Sequence, residues 1–222
     1  MAAEKKVKIL GNGPYEVNGN ISLDQLQFTH NEKGASLEYE KIKDHSCKDT
    51  YYLCRCGKSK NKPFCDGSHA AAEFDGTETA GYKTYDEMAK FIEGNLMDLK
   101  DAPELCAGAR FCDTKSGTWN LVERAENKAA KDIVKHQCEN CPSGRLTAIT
   151  KDGRVLEPDL PQEISVLEDP VAGVHGPIYV KGGISVESAE GKTYPERNRV
   201  TLCRCGKSDN KPFCDGKHLG SD

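Results

Sequence analysis

The sequence lacks the features that send a chain into a membrane or onto a nucleic acid. None of its 222 residues lies in an apolar run approaching the roughly 20 residues of a spanning helix. The stretch Met1 to Leu10 alternates lysines with single aliphatics and never builds the apolar core of a secretory signal. A cytoplasmic location without a membrane partner is therefore expected. Basic residues do not exceed acidic ones, at 31 against 35 for a formal net charge of −4. With no basic stripe to offset that balance, binding to nucleic acid by bulk electrostatics is excluded. Also missing are a Gly-rich nucleotide loop in a βαβ setting, a nucleophile elbow and a paired-carboxylate motif, so the chain does not read as an enzyme. Apolar residues are scarce as well, at 36% with a single tryptophan, and the mean hydropathy is −0.67. A core this thinly supplied needs another source of order.

Cysteine is what the chain has in excess. There are 11, an odd number that disulfides alone cannot use. In an untargeted chain thiols stay reduced, and clustered cysteines more often hold metal than each other.

Most of these cysteines belong to a repeat. Cys54 to His69 reads CRCGKSKNKPFCDGSH and Cys203 to His218 reads CRCGKSDNKPFCDGKH, identical at 14 of 16 positions. A weaker echo lies upstream, where Gly13 to Leu23 and Gly176 to Val186 share six of 11 positions. The duplicated unit is thus a module that runs from a Gly-Pro turn through two alternating, strand-like stretches to the cysteine segment. The first copy carries 14 additional residues between these landmarks. Between the copies the character changes. Thr84 to Glu87 is a capping-box pattern ahead of Met88, Phe91 and Ile92 and predicts a short helix. A second helix is predicted from Glu126 to about Gln137, with Ile133 and Val134 on its apolar face. Pro158 to Pro170 reads as a Pro-rich connector. The expected organisation is a first half over residues 1–75, an inserted domain with its connector over 76–165, and a second half over 166–222.

The repeated segment has a clear ligand logic. In Cys-Arg-Cys the alternation of an extended chain points both sulfurs to one side. Cys65 and His69 are four apart, a spacing that puts them on one face of a first helical turn. Three sulfurs and one imidazole then converge at Cys54, Cys56, Cys65 and His69, and likewise at Cys203, Cys205, Cys214 and His218. A Cys3His zinc site is one reading of such a set. The full pattern Cys-x-Cys-x2-Ser-x3-Pro-x-Cys-Asp-Gly-Ser-His resembles the CDGSH iron–sulfur family, whose members bind a [2Fe–2S] cluster. The resemblance implies that Cys54 and Cys56 hold the inner iron, and Cys65 and His69 the outer one. Lys217 departs from the family's small residue, with all four ligand positions intact. Known members with one motif pair as dimers, which implies that the two copies here pair within one monomeric chain. The implied fold is α+β: a pseudo-twofold β-sandwich from the two halves, plus a small α/β insert.

A neutral imidazole in place of one thiolate removes negative charge and raises a cluster's potential, as Rieske centres do with two histidines. It also adds a proton switch, so a pH-dependent potential and acid-accelerated cluster loss are expected.

The insert carries a third pattern. In a bacterial ferredoxin run, Cys-x2-Cys-x2-Cys sets its outer cysteines six apart and a remote Cys-Pro completes a cluster. Cys106 and Cys112 are six apart, the middle position is Ala109, and Cys141-Pro142 is the remote element. Three thiolates with an empty corner suit [3Fe–4S]. Cys106 to Cys112 and Cys141 to Leu146 resemble the divergent single-cluster ferredoxin domain, which implies a [3Fe–4S] or [4Fe–4S] cluster. Cys138 stands either as a fourth ligand or as part of a Cys-x2-Cys zinc knuckle with Cys141. Cys47 reads as packing, Trp119 as part of the insert's core, and His30, His45, His136 and His175 as surface or satisfied residues. The expected function is electron transfer, or cluster transfer and redox sensing, with a partner protein. A structural zinc protein and a redox subunit of an enzyme complex are the alternatives.

Overall fold

The computed structural model describes residues 4–124 and 127–220. The fold class is α+β. Ahead of the first cysteine segment run β1 (Lys6–Ile9), β2 (Tyr15–Asn18), β3 (Leu23–His30), β4 (Ser36–His45) and β5 (Thr50–Leu53), and that segment ends in the one-turn helix α1 (Ser68–Ala71). The middle region holds α2 (Tyr85–Met88), β6 (Lys90–Ile92), β7 (Met97–Asp101), α3 (Thr118–Arg124), α4 (Lys128–Glu139), β8 (Leu146–Thr150) and β9 (Val155–Leu156). The last four strands are β10 (Ile164–Asp169), β11 (Val174–Lys181), β12 (Ser185–Glu187) and β13 (Arg199–Leu202).

Two sheets are built from the repeat, in the orders β12-β1-β2-β5 and β13-β11-β10-β3-β4. The sequence echo matches β2 with β11 and β3 with β12, and the cysteine segments match β5 with β13. With those equivalences each sheet is completed by a strand of the other copy. β12 pairs in parallel with β1 (Lys6 opposite Ser185, Lys8 opposite Glu187), and β3 pairs in parallel with β10 (Leu23 opposite Ile164). The additional residues of the first copy form β4, an antiparallel edge strand on β3. Alternating residues of both sheets meet in one core that includes Ile9, Tyr15, Val17, Ile164, Ile178 and Leu202. Each such aliphatic side chain contributes about 1.5–3 kcal/mol on full burial, and Tyr15 donates its hydroxyl across the halves to the carbonyl of Cys203 at 2.7 Å.

The middle region has its own sheet, β6-β7-β8-β9, and its own core of Met97, Leu99, Val122, Val134, Cys138, Leu146 and Ala148, with Trp119 packed against it. Its strands are antiparallel throughout, so the small α/β insert is an α+β unit in strand direction: α3 and α4 both lie in the one connection between neighbouring β7 and β8. A third apolar group, Phe28, Phe111, Leu167 and Tyr179, joins Phe111 of the insert to the second sheet.

Three local expectations are corrected. The capping box at Thr84 forms, but the helix stops at Met88 because Ala89 is extended (φ −78°, ψ 135°), and Phe91 and Ile92 belong to β6, paired with β7. Asn127 caps α4 by accepting from the Ala130 amide; the predicted start at Glu126 lies outside the described residues. The stretch Pro158 to Pro170 is more than a connector, since β10, a central strand, occupies Ile164–Asp169.

Candidate metal centres

The two copies are built alike. β5 and β13 lead straight into Cys54 and Cys203, and the chain returns antiparallel, so that the Cys54 amide donates to Pro63 and the Cys65 amide to Tyr52, at 2.8 and 2.9 Å. The second copy repeats this with Cys203 to Pro212 and Cys214 to Thr201. The motif's polar residues fix the loop between them. Ser59 and Ser208 donate to the carbonyls of Phe64 and Phe213, both at 2.7 Å. Asp66 accepts from the amides of Lys60 and Ser68, with a side-chain bond from Ser68 as well, and these bonds hold its carboxyl well below the usual range. The helix expected to carry both Cys65 and His69 begins only at Ser68. Gly67, at φ 88°, makes the left-handed turn that brings the two donors together instead. Arg55 and Arg204 are buried, with Arg55 bonded to the Gly76 carbonyl and Arg204 to Gly176, Leu167 and Glu168.

The donors come in pairs. The sulfurs of Cys54 and Cys56 are 3.9 Å apart and those of Cys203 and Cys205 3.6 Å. Cys65 Sγ to His69 Nδ1 and Cys214 Sγ to His218 Nδ1 are each 3.4 Å. Donors bonded at 2.0–2.3 Å to one tetrahedral ion lie about 3.3–3.8 Å apart. Each pair therefore has the span of one edge of a metal's coordination sphere, while among the described residues no three such donors meet at one point. Backbone amides at Lys58, Gly67, Lys207 and Gly216 donate to the sulfurs at 3.4–3.5 Å. Burial pushes the thiols of Cys56 and Cys214 up. Cys203 is lowered because Cys205 donates to it, and Cys205 rises in consequence. Metal binding at these thiols must therefore release protons. His218 is lowered by burial and then by the nearby Arg204.

The two motifs touch. Cys56 and Cys205 form an antiparallel bridge, and Gly57 (φ 74°) and Gly206 (φ 81°) leave room for the opposite backbone. A Cβ there would stand 2.7 Å from the Cys205 carbonyl oxygen and 2.8 Å from that of Cys56.

In the insert, Cys106, Cys112 and Cys141 line one small cavity, together with Pro142 and Arg145. Arg145 is held over the Trp119 ring and by Asp101 at 2.7 Å. Burial pushes the Cys112 thiol up to about 12. Cys138 does not line that cavity. It is fully buried in the insert's apolar core, and its thiol is pushed well up by burial.

The remaining residues are placed as follows. Cys47 packs against the main core. His30 pairs with Asp169 at 3.3 Å, and His175 with Glu168 at 2.7 Å. His136 lies 3.1 Å from the Leu37 carbonyl. His45 differs from a satisfied residue, since its Nε2 is buried without a hydrogen-bond partner. Lys217 is exposed and pairs with Asp209. Two residues that sequence reasoning missed are Arg197 and Arg199. Arg197 donates to the Ser143 carbonyl at 3.2 Å. Arg199 is buried and donates to the carbonyls of Cys138, Glu139 and Cys141 at 2.6, 2.7 and 2.9 Å. Their only sequence signal is a basic pair where the other copy has Lys48 and Thr50.

Paired sulfur and imidazole donors at metal-edge spacing, doubled and set beside a third cysteine cavity, define an iron–sulfur-binding protein. The family model for the iron-binding zinc finger of CDGSH type matches residues 12–70 and 175–219, and the model for a divergent 4Fe-4S mono-cluster matches residues 92–151. The chain thus carries two CDGSH-type iron-binding segments with a divergent mono-cluster segment between them. A stretch of 59 residues is 37% identical to the CDGSH iron-sulfur domain-containing protein 2 homolog of Drosophila virilis, covering 22% of this chain and 44% of that protein. The chain thus spans less than half the length of that relative. No solved structure matches it. Among the described residues, no helix is long and apolar enough to cross a membrane.

Proposed function

We propose that the chain carries two [2Fe–2S] clusters, at Cys54, Cys56, Cys65 and His69 and at Cys203, Cys205, Cys214 and His218, and a third cluster at Cys106, Cys112 and Cys141, and that it works in electron transfer. The observation that carries this reading is the pairing of donors. Two pairs, each one coordination edge wide, suit a dinuclear cluster with one pair per iron, whereas a mononuclear zinc site needs four donors about a single point. When bound, such clusters supply reversible one-electron chemistry. The protein's own part is to hold the donors, to give hydrogen bonds to the sulfurs and to fix the spacing of the sites.

For the insert, the cavity supports three cysteine ligands and a [3Fe–4S] cluster, while the family description favours four irons. Cys138, buried in the insert's apolar core beside Cys112 and Cys141 but not among the residues that line the cavity, is the weaker candidate for a fourth ligand. The exchanged strands and shared core support a pseudo-twofold sandwich of two halves within a monomer, with domains over 1–75, 76–165 and 166–222 except that β10 brings Ile164 and Ser165 into the second half. Cluster transfer to a partner protein is the second reading, favoured by the imidazole ligand, which leaves more readily than a thiolate on protonation. A visible absorption spectrum with EPR of the purified chain tests the proposal: red-brown colour and two reducible [2Fe–2S] centres are expected, and a colourless zinc protein overturns it.

A further inference from the structure

The two motifs are near-identical in sequence, yet among the described residues the insert's cysteine region sits against the second of them. At the second copy, Arg199 grips the carbonyls of Cys138, Glu139 and Cys141, and Glu157 closes on its guanidinium at 3.0 Å. Arg199 opens β13, the strand that delivers Cys203; the equivalent residue in the first copy is Thr50, whose hydroxyl bonds to Asn18 instead. The turn carrying Cys214 and His218 also abuts the insert's cysteine loop. A Cβ on Gly216 would lie 3.6 Å from the Cys106 carbonyl oxygen, and one on Gly108 would lie 2.2 Å from Leu219. Arg110, on that loop, pairs with the buried Asp169 of β10 at 2.6 Å. The equivalent turn in the first copy is open: among the described residues nothing beyond its chain neighbours lies within 4 Å of a Cβ placed on Gly67, and Cys65 is half-buried where Cys214 is buried. The cause lies in the strand order. The insert packs through Phe111 on the second sheet, which carries the second motif, and β4 of the first copy, at that sheet's edge, closes on the insert through the Tyr39 hydroxyl at 2.6 Å from the Asn140 carbonyl.

We propose that the three sites form a line in which the second CDGSH site is the direct electronic neighbour of the insert site, with Arg199 as the positioning residue between them, and the first CDGSH site is the outward-facing end. This rests on the iron–sulfur reading above. One electron moves between neighbouring clusters, the donor cluster oxidised and the acceptor reduced, with no bond made or broken; dithionite supplies the electron in the test.

The test uses the full, cluster-loaded chain with His69→Cys as a spectroscopic label, which changes the EPR signal of the first CDGSH cluster and leaves that of the second. Adding Cys112→Ser removes the insert cluster. The expected result is a several-fold slowing of electron-spin relaxation in the second-site signal, with little change in the labelled one. Arg199→Lys retains that relaxation, and Arg199→Ala loses much of it at unchanged iron content. If Arg199→Ala does not fold, Gly108→Ala, which drives Leu219 away, serves in its place. A labelled first-site signal that responds to Cys112→Ser as strongly as the second, or a second-site signal that does not respond, overturns the inference alone. Absence of iron and sulfide from the wild-type chain overturns the iron–sulfur reading as well.

Discussion

At the scale of single residues, the histidine in each motif is the chemical choice with the largest consequence. His69→Cys and His218→Cys keep the donor count and add one negative charge at the site. Each is expected to lower the midpoint potential of its own cluster by on the order of 100 mV, in the direction that separates plant-type ferredoxins from histidine-ligated centres. The slope of potential against pH should flatten too, which potentiometric titration at several pH values would register. Unchanged potentials would remove the histidines from the ligand set. His45 tests a different point. Its ring has a buried, unpartnered Nε2 and a pKa held below the ordinary value by burial and then by Lys43. The unfolded chain takes up the proton near pH 6.5 and the folded one resists, so its contribution to stability is present above that pH and is lost as pH falls through it. Denaturant unfolding of His45→Phe should show a weaker loss of stability between neutral and mildly acidic pH than the wild type.

At the scale of elements, the cysteine segments work because a strand, a returning loop and a left-handed glycine turn act together. The segments and their donors could be read directly, since the motif's residues act on their own neighbourhood. Ser59 and Asp66 bond the loop's own backbone, and such short-range bonding leaves a spacing signature. The exchange of β3 and β12 could not be read, because parallel pairing of strands far apart in the chain leaves no mark in either one. β10 was hidden for a related reason. Its flanking prolines lie outside the strand, and its run Ile164 to Asp169 is buried on both faces rather than alternating. Arg199 was invisible because its partners are backbone carbonyls, which no side-chain pattern announces. The contact between motifs makes a sharp element-level prediction. Gly57→Ala and Gly206→Ala each put a methyl against backbone at a positive φ and should cost about 2 kcal/mol or more in unfolding free energy. The same change at Gly153, also at positive φ but with nothing within 4 Å, should cost about 1 kcal/mol.

At the scale of the whole molecule, the scarcity of apolar residues is met by three separate apolar groups and by buried arginines that stitch them together. Arg199→Ala would remove the buried donor to three carbonyls of the α4 terminus and the Cys141 loop; Cys138 and Cys141 keep amide donors from Cys141 and Gly144, so at about 1–3 kcal/mol for a buried acceptor left unmade a loss of that size is expected in denaturant unfolding, with Arg199→Lys intermediate. Metal ligation supplies the rest of the order, since thiols that hold their protons when free are committed only when metal displaces them. Cluster removal by acid and chelator should therefore lower the unfolding midpoint markedly and loosen the Cys54–His69 and Cys203–His218 segments first, as hydrogen exchange would record.

The count of iron and acid-labile sulfide per chain, taken together with zinc on the same sample, bears most directly on the central claim. Two dinuclear sites and one insert cluster predict about seven irons and eight sulfides with a three-iron insert, or about eight of each with a four-iron one, and zinc near zero. One zinc per motif with no sulfide would contradict the account.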